Sequence, residues 1–176
     1  MPFPALRPMT EVEFNNWLAE AVPAYAADKV SSGQWASDAA LDLSKKEHDQ
    51  LLPDGLQTAD NHLYSVVDCG GAVVGVLWFA VRTKFNARIA YVFDIDVWPA
   101  HQRQGHGTRA LQALEGEVQR LGLTGIALHV FGHNTGAQAL YAKLGFQPTN
   151  ISLFKNVGTD GGTAVSSATT SSIEAA

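Results

Sequence analysis

Between Leu63 and Val97 the periodicity of the sequence changes, and no other stretch limits the fold as much. Residues 63–68, 72–82 and 89–97 are rich in Val, Ile, Tyr, Phe and Trp, the residue types that suit a pleated, half-buried surface. Cys69-Gly70-Gly71 separates the first two runs and residues 83–88 separate the last two; both read as hairpin connections. Three consecutive strands joined by short turns make an antiparallel meander, and Pro99 ends it.

Helical patterns lie on both sides of the meander. Thr10 followed by Glu13 is a capping-box start, after which Phe14, Trp17, Leu18 and Ala21 fall on one helical face. Pro23 is expected to break or kink that helix, leaving a second short segment over 25–30. A further helix is expected over 37–52, closed by Pro53-Asp54-Gly55. Beyond the meander, Leu111, Leu114, Val118 and Leu121 form a stripe on a helix that starts near Gly105 and stops at Gly122. Residues 125–131 read as a strand, 135–144 as a helix ending at Gly145, and 147–154 as a closing strand or hairpin arm. From Val157 the chain is a Gly/Ser/Thr/Ala tail that is expected to be disordered. The expectation is an α+β fold in the order ααβββαβαβ, with one domain over 1–156 and a tail over 157–176.

A length of 176 residues suits one domain with a full core. The net charge of -5 gives no reason to expect nucleic acid or an anionic membrane as partner. Cys69 is the sole cysteine, so no internal disulfide can form. The first residues, MPFPALRPMTEVEF, lack a basic region followed by an apolar run, and no apolar stretch nears the roughly 20 residues that span a bilayer. The expected setting is the cytoplasm, away from any membrane.

The segment VWPAHQRQGHGTRAL, from Val97 to Leu111, carries the chemical signal. No acid lies between Asp96 and Glu115, while His101, Arg103, His106 and Arg109 are all present. A locally basic, glycine-bearing loop thus opens a helix within an acidic chain. Helix N-termini leave backbone N–H groups unpaired with partial positive charge behind them, and glycine lets an anion approach those groups. Two readings fit: an anion site suited to a pyrophosphate, or glycines that only shape a tight strand-to-helix turn. A Walker loop is excluded because Gly107 is followed by Thr108 and Arg109 rather than Lys-Ser/Thr. Residues 105–110 match G-x-G-x-x-A, but they follow a meander's third strand, and no acid ends the next strand at His129 to Asn134.

Gln102-Arg103-Gln104-Gly105-His106-Gly107 resembles the Q/R-x-x-G-x-G/A loop of the GNAT superfamily of acyl-CoA N-acyltransferases, placed after a strand ending in Val97 and a turn with Pro99. A second hallmark follows in order: Val130, Asn134, Ala137, Leu140-Tyr141 and Leu144-Gly145-Phe146. The resemblance spans about residues 5–155. It implies a mixed, mostly antiparallel sheet flanked by helices and splayed between its central strands near a bulge. It also implies acetyl-CoA as acyl donor, with the pantetheine arm against Ile95, Asp96 and Val97. The pyrophosphate would lie on the backbone of Gln102, Arg103, Gln104, Gly105, His106 and Gly107 and on the helix's first turn at Thr108. Asn134 matches the family residue near the pantetheine, and would equally serve as a helix N-cap.

Amine acetylation needs a neutral amine, a stabilised oxyanion and a proton for the departing thiolate. Tyr141 matches the family's tyrosine and is the candidate acid; the alternative is a core aromatic beside Leu140 and Leu144. Alternation along residues 91–97 puts Asp94 and Asp96 on one strand face against Phe93, Ile95 and Val97 on the other. Asp94 is the candidate base, or else a structural carboxylate at a bulge. His129 and His133 suggest no third ligand, so no metal is expected. Trp17, Trp35 and Tyr25 either line an acceptor pocket or belong to the core. The function expected is transfer of an acetyl group to a primary amine of a small molecule or peptide, by a monomer or homodimer. The alternative is a non-catalytic acyl-CoA-binding sensor or scaffold, which would need the glycine loop but not Tyr141.

Overall fold

The structure, a computed structural model, describes residues 5–84, 86–153, 155 and 157; the rest of the tail lies outside the described residues. Strand β1, Leu6–Pro8, precedes helices α1, Glu11–Ser31, and α2, Ala40–Leu51. The meander follows as β2, Asn61–Val67, β3, Val73–Lys84, and β4, Ala87–Val97. A short 3-10 turn, Pro99–His101, leads to α3, His106–Arg120, then β5, Ile126–Leu128, and α4, Thr135–Lys143. Among the described residues, five strands form one sheet in the order β1-β2-β3-β4-β5. All neighbours are antiparallel except β4 and β5, which run parallel.

The sheet is covered on both faces. On one side Leu77, Phe79 and Val92 pack with Leu111 and Leu114 of α3. On the other, Val76, Trp78 and Phe93 pack with Phe14, Trp17 and Tyr25 of α1. Both faces of the central strands and the packed faces of α1 and α3 are thereby removed from water, the dominant stabilising term.

Three expectations are corrected. Helix α1 continues unbroken through Pro23. An interior proline costs about 3 kcal/mol through a lost ladder bond and a clash, but burial on both sides outweighs it: Phe14, Trp17 and Ala21 before the proline, Tyr25 and Ala26 after it. Two bonds from α2 hold the later part of the helix, Ser44 Oγ donating to the Val22 carbonyl at 2.7 Å and Tyr25 Oη to Glu47 at 2.9 Å. Second, the closing strand expected over 147–154 does not form: residues 147–153 take no regular structure, with Ile151 and Leu153 strongly exposed. Phe154 itself lies outside the described residues. Third, β1 is too short for any periodicity to reveal it, yet pairs Leu6 with Val66 and Pro8 with Tyr64.

Candidate active site

The site begins where β4 leaves its neighbours. Along β3 and β4 the register pairs Phe79 with Val92 and then Trp78 with Asp94, so Phe93 is an extra residue, a β-bulge. The parallel pairing of β4 with β5 ends at the same level, at Val92 and Leu128, while β4 runs on to Val97. The sheet therefore opens between β4 and β5 just beyond the bulge. The bulge also corrects the face assignment. Phe93 does not oppose Asp94; it stacks on Trp78 at 4.7 Å, on the side of the sheet that carries α1.

Asp94 is buried, at 6% exposure. Its Oδ2 accepts a hydrogen bond of 3.0 Å from Trp17 Nε1, reaching across from α1. Burial pushes its carboxyl up to about 7, with the Trp17 bond opposing and the nearby Asp96 carboxylate adding to the rise. Asp96 is half-buried and also raised by burial, against the Val97 N–H that bonds it. Tyr141, on α4, is half-buried with its ring 5.5 Å from that of Phe146. Its phenol is raised by burial and then by the Asp94 charge. The two candidate proton-transfer groups, far apart in sequence, are thus electrostatic neighbours at the opening of the sheet.

The glycine loop follows from the same strand. Gln102 Nε2 donates to the Val97 carbonyl at 2.8 Å and Gln104 Nε2 to the Ala100 carbonyl at 3.3 Å, so both side chains tie the loop back onto its own lead-in. Arg103 and Gly105 both adopt left-handed backbone, φ 62 and 83, about 1–3 kcal/mol of strain for the non-glycine residue. Such departures from one helical sense turn successive N–H groups toward one side, an anion-binding concavity. Gly105 is the N-cap of α3 and no side chain caps the helix, which leaves the first-turn N–H groups of His106, Gly107 and Thr108 for an incoming anion. A Cβ on Gly107 would meet Leu140 Cδ2 at 3.3 Å, so this glycine also sets how closely α3 approaches α4, the helix of Tyr141.

The remaining candidates are placed as follows. Ile95 and Val97 are half-buried on the parted end of β4, while Gln102, Arg103, Gln104 and Gly105 are exposed. His106 is buried with Nδ1 lacking a hydrogen-bond partner. Asn134 caps α4, its Oδ1 accepting from the Ala137 N–H at 3.1 Å. Sequence reasoning gave no sign that Trp17 bonds Asp94, nor that His48 sits behind it. His48 is fully buried, with Nδ1 donating to the Ser44 carbonyl at 2.8 Å and its ring centre 6.2 Å from that of Trp17, edge to face. Packing of α1 against the end of β4 and of α2 against α1 brings these groups together.

Comparison with known proteins gives the family and the fold. Residues 28–146 match the family model described as the acetyltransferase (GNAT) family. The chain is 34% identical over 152 residues to "Uncharacterized N-acetyltransferase YycN" of Bacillus subtilis, covering 86% of this chain and 97% of that protein. The crystal structure of YycN superposes with a TM-score of 0.79 at 33% identity, over 88% of this chain and 98% of that one. An aminoglycoside 6'-N-acetyltransferase from Acinetobacter baumannii, 21% identical, shares the fold with a TM-score of 0.57 over 87% of this chain and 98% of its own. A family match over residues 28–146 of 176 and a relative 34% identical along nearly its whole length show the same thing: the chain belongs to the acetyltransferase (GNAT) family.

Proposed function

We propose that the chain transfers an acetyl group from acetyl-CoA to a primary amine of a small molecule or peptide, by direct attack in a ternary complex. The observation that carries this reading is Asp94, buried at the opening of the sheet and pushed up to about 7, with its charge felt by the Tyr141 phenol. A base is most effective with a pKa near the working pH, where it is both substantially ionised and basic enough to take a proton.

Acetyl-CoA supplies a thioester carbonyl activated toward amines. The residues present fit its pyrophosphate: an uncapped helix N-terminus, left-handed backbone at Arg103 and Gly105, and a stretch without acids from Val97 to Leu114. The backbone of residues 102–107 and Thr108 would hold the phosphates, and Ile95, Asp96, Val97 and Asn134 would line the arm. Asp94 takes the proton released by the amine as the N–C bond forms. Tyr141 gives a proton to the sulfur as the C–S bond breaks, a phenol being an adequate donor to a thiolate whose thiol has a pKa near about 8.5.

The test is Asp94→Asn, which keeps an oxygen for Trp17 and removes the basic carboxylate. With an amine and peptide panel and a thiol-release readout, turnover should fall about 100-fold or more, the usual scale for a general base, while CoA affinity measured by calorimetry stays the same. Undiminished turnover would remove Asp94 as base. Absence of turnover in the unaltered protein across the panel, with CoA still bound, would point to a sensor.

A further inference from the structure

We propose that Trp17 is a positioning residue for the reaction: its indole N–H, reaching from α1, holds one oxygen of the Asp94 carboxylate at the bulged end of β4. The inference rests on Asp94 being the base. It adds a residue from the N-terminal helix to the machinery, and the geometry is specific.

The Trp17 Nε1 to Asp94 Oδ2 bond, 3.0 Å long and buried, joins residues 77 apart in sequence. It crosses from α1 to the bulged end of β4. An indole N–H is only a donor, so the bond holds one carboxylate oxygen and favours the ionised form. The ring cannot swing away. Trp78 meets it edge-on at 5.6 Å, Phe14 lies at 5.9 Å and His48 at 6.2 Å. Trp78 is also the cross-strand partner of Asp94, and its own ring stacks on Phe93. One aromatic cluster therefore fixes both the donor and the bulge that aims the acceptor.

The groups that bear on Asp94 can be named element by element. On β4 the Asp96 carboxylate raises it, and across the opening the Tyr141 phenol of α4 senses its charge. Trp17 is the contribution from α1, and it acts in the opposite sense to burial. His48 of α2 touches the ring of Trp17. Burial lowers its basicity, while the Nδ1–H bond to the Ser44 carbonyl and the charges of Glu47 and Asp49 oppose that fall. On β3, Trp78 brings no charge, and Arg82 lies 5.5 Å over the ring of Phe93.

The sign follows directly. Removing the N–H withdraws support from the charged carboxylate, so its pKa rises and the acidic limb of the kcat/KM profile moves to higher pH. A charge-assisted bond of this kind corresponds to about one pH unit or more. In Trp17→Phe, kcat/KM near neutral pH should fall several-fold to about tenfold and recover at alkaline pH, with CoA affinity unchanged. Benzothienylalanine placed at position 17, which keeps the ring's shape and replaces N–H with sulfur, should shift the limb likewise and covers the case in which phenylalanine folds poorly. Phe14→Leu, which loosens the same cluster without touching the bond, should leave the limb where it is.

A limb that stays in place in the Trp17→Phe and benzothienylalanine proteins overturns the inference, as would an equal shift in Phe14→Leu. If Asp94→Asn is fully active, the base assignment itself has failed. If Asp94→Asn is inactive but the limb ignores Trp17, the base stands and only the positioning role is lost.

Discussion

Helices α1 and α3 begin in opposite ways. At α1 the start is closed. Thr10 Oγ1 accepts from the Glu13 N–H at 3.3 Å, Glu13 accepts from the Thr10 N–H at 2.9 Å, and Arg7 pairs with the same carboxylate. Arg7 holds the Glu13 carboxyl down at about 2. At α3 no side chain caps the helix, its N-cap is a left-handed glycine, and the residue two positions earlier is left-handed as well. A closed start contributes stability; an open start beside parted strands and a buried, raised carboxylate leaves that stabilisation to a ligand. The open start belongs to the proposed cofactor side of the molecule. The closed one belongs to a helix whose part in the reaction, on our proposal, runs through Trp17.

The largest expected effect tests the chemistry on the open side. Tyr141→Phe keeps the ring against Phe146 and removes the hydroxyl. Turnover should drop by about 100- to 10,000-fold with acetyl-CoA affinity little changed. Steady-state kinetics beside calorimetry checks this, and a variant with normal turnover but a lowered melting temperature would make Tyr141 a packing residue.

Gly105→Val sharpens the contrast at the helix start. A Cβ there meets nothing within 4 Å, so any cost is one of backbone, not of space. At φ 83 a residue with a side chain is strained by about 1–2 kcal/mol. The loop should relax from its left-handed turn, weakening CoA binding roughly tenfold while α3 remains folded by circular dichroism. Unchanged affinity in a folded variant would detach the loop from the cofactor.

Thr10→Ala is the matching change at the closed start. It should cost about 1 kcal/mol of stability in denaturant titration, the usual loss for a cap, and leave CoA affinity untouched. A change in affinity comparable with that of Gly105→Val would erase the distinction between the two helix ends.

What was legible in the sequence was local. The capping box of α1, the β-rich runs with the turns between them, the glycines bounding α3 and the Asn134 cap are all set within a few residues of themselves. The glycine loop shares that property, since Gln102 and Gln104 bond carbonyls only five and four residues before themselves. Three features depended on partners remote in the chain. The bulge at Phe93 is invisible in β4 alone, because alternation continues through it and only the register with β3 exposes the extra residue. Pro23 reads as a break until the contacts with α2 are known. The Trp17–Asp94 bond spans 77 positions, and nothing near either residue announces the other.

The contrast between an open and a closed helix start is tested most directly by following backbone amide resonances while CoA is titrated into the protein. Large, saturating shifts are expected at the N–H groups of Gly105, His106, Gly107 and Thr108, with those of Glu11, Val12 and Glu13 unmoved. Saturable CoA binding that leaves the four α3 amides where they were would contradict it.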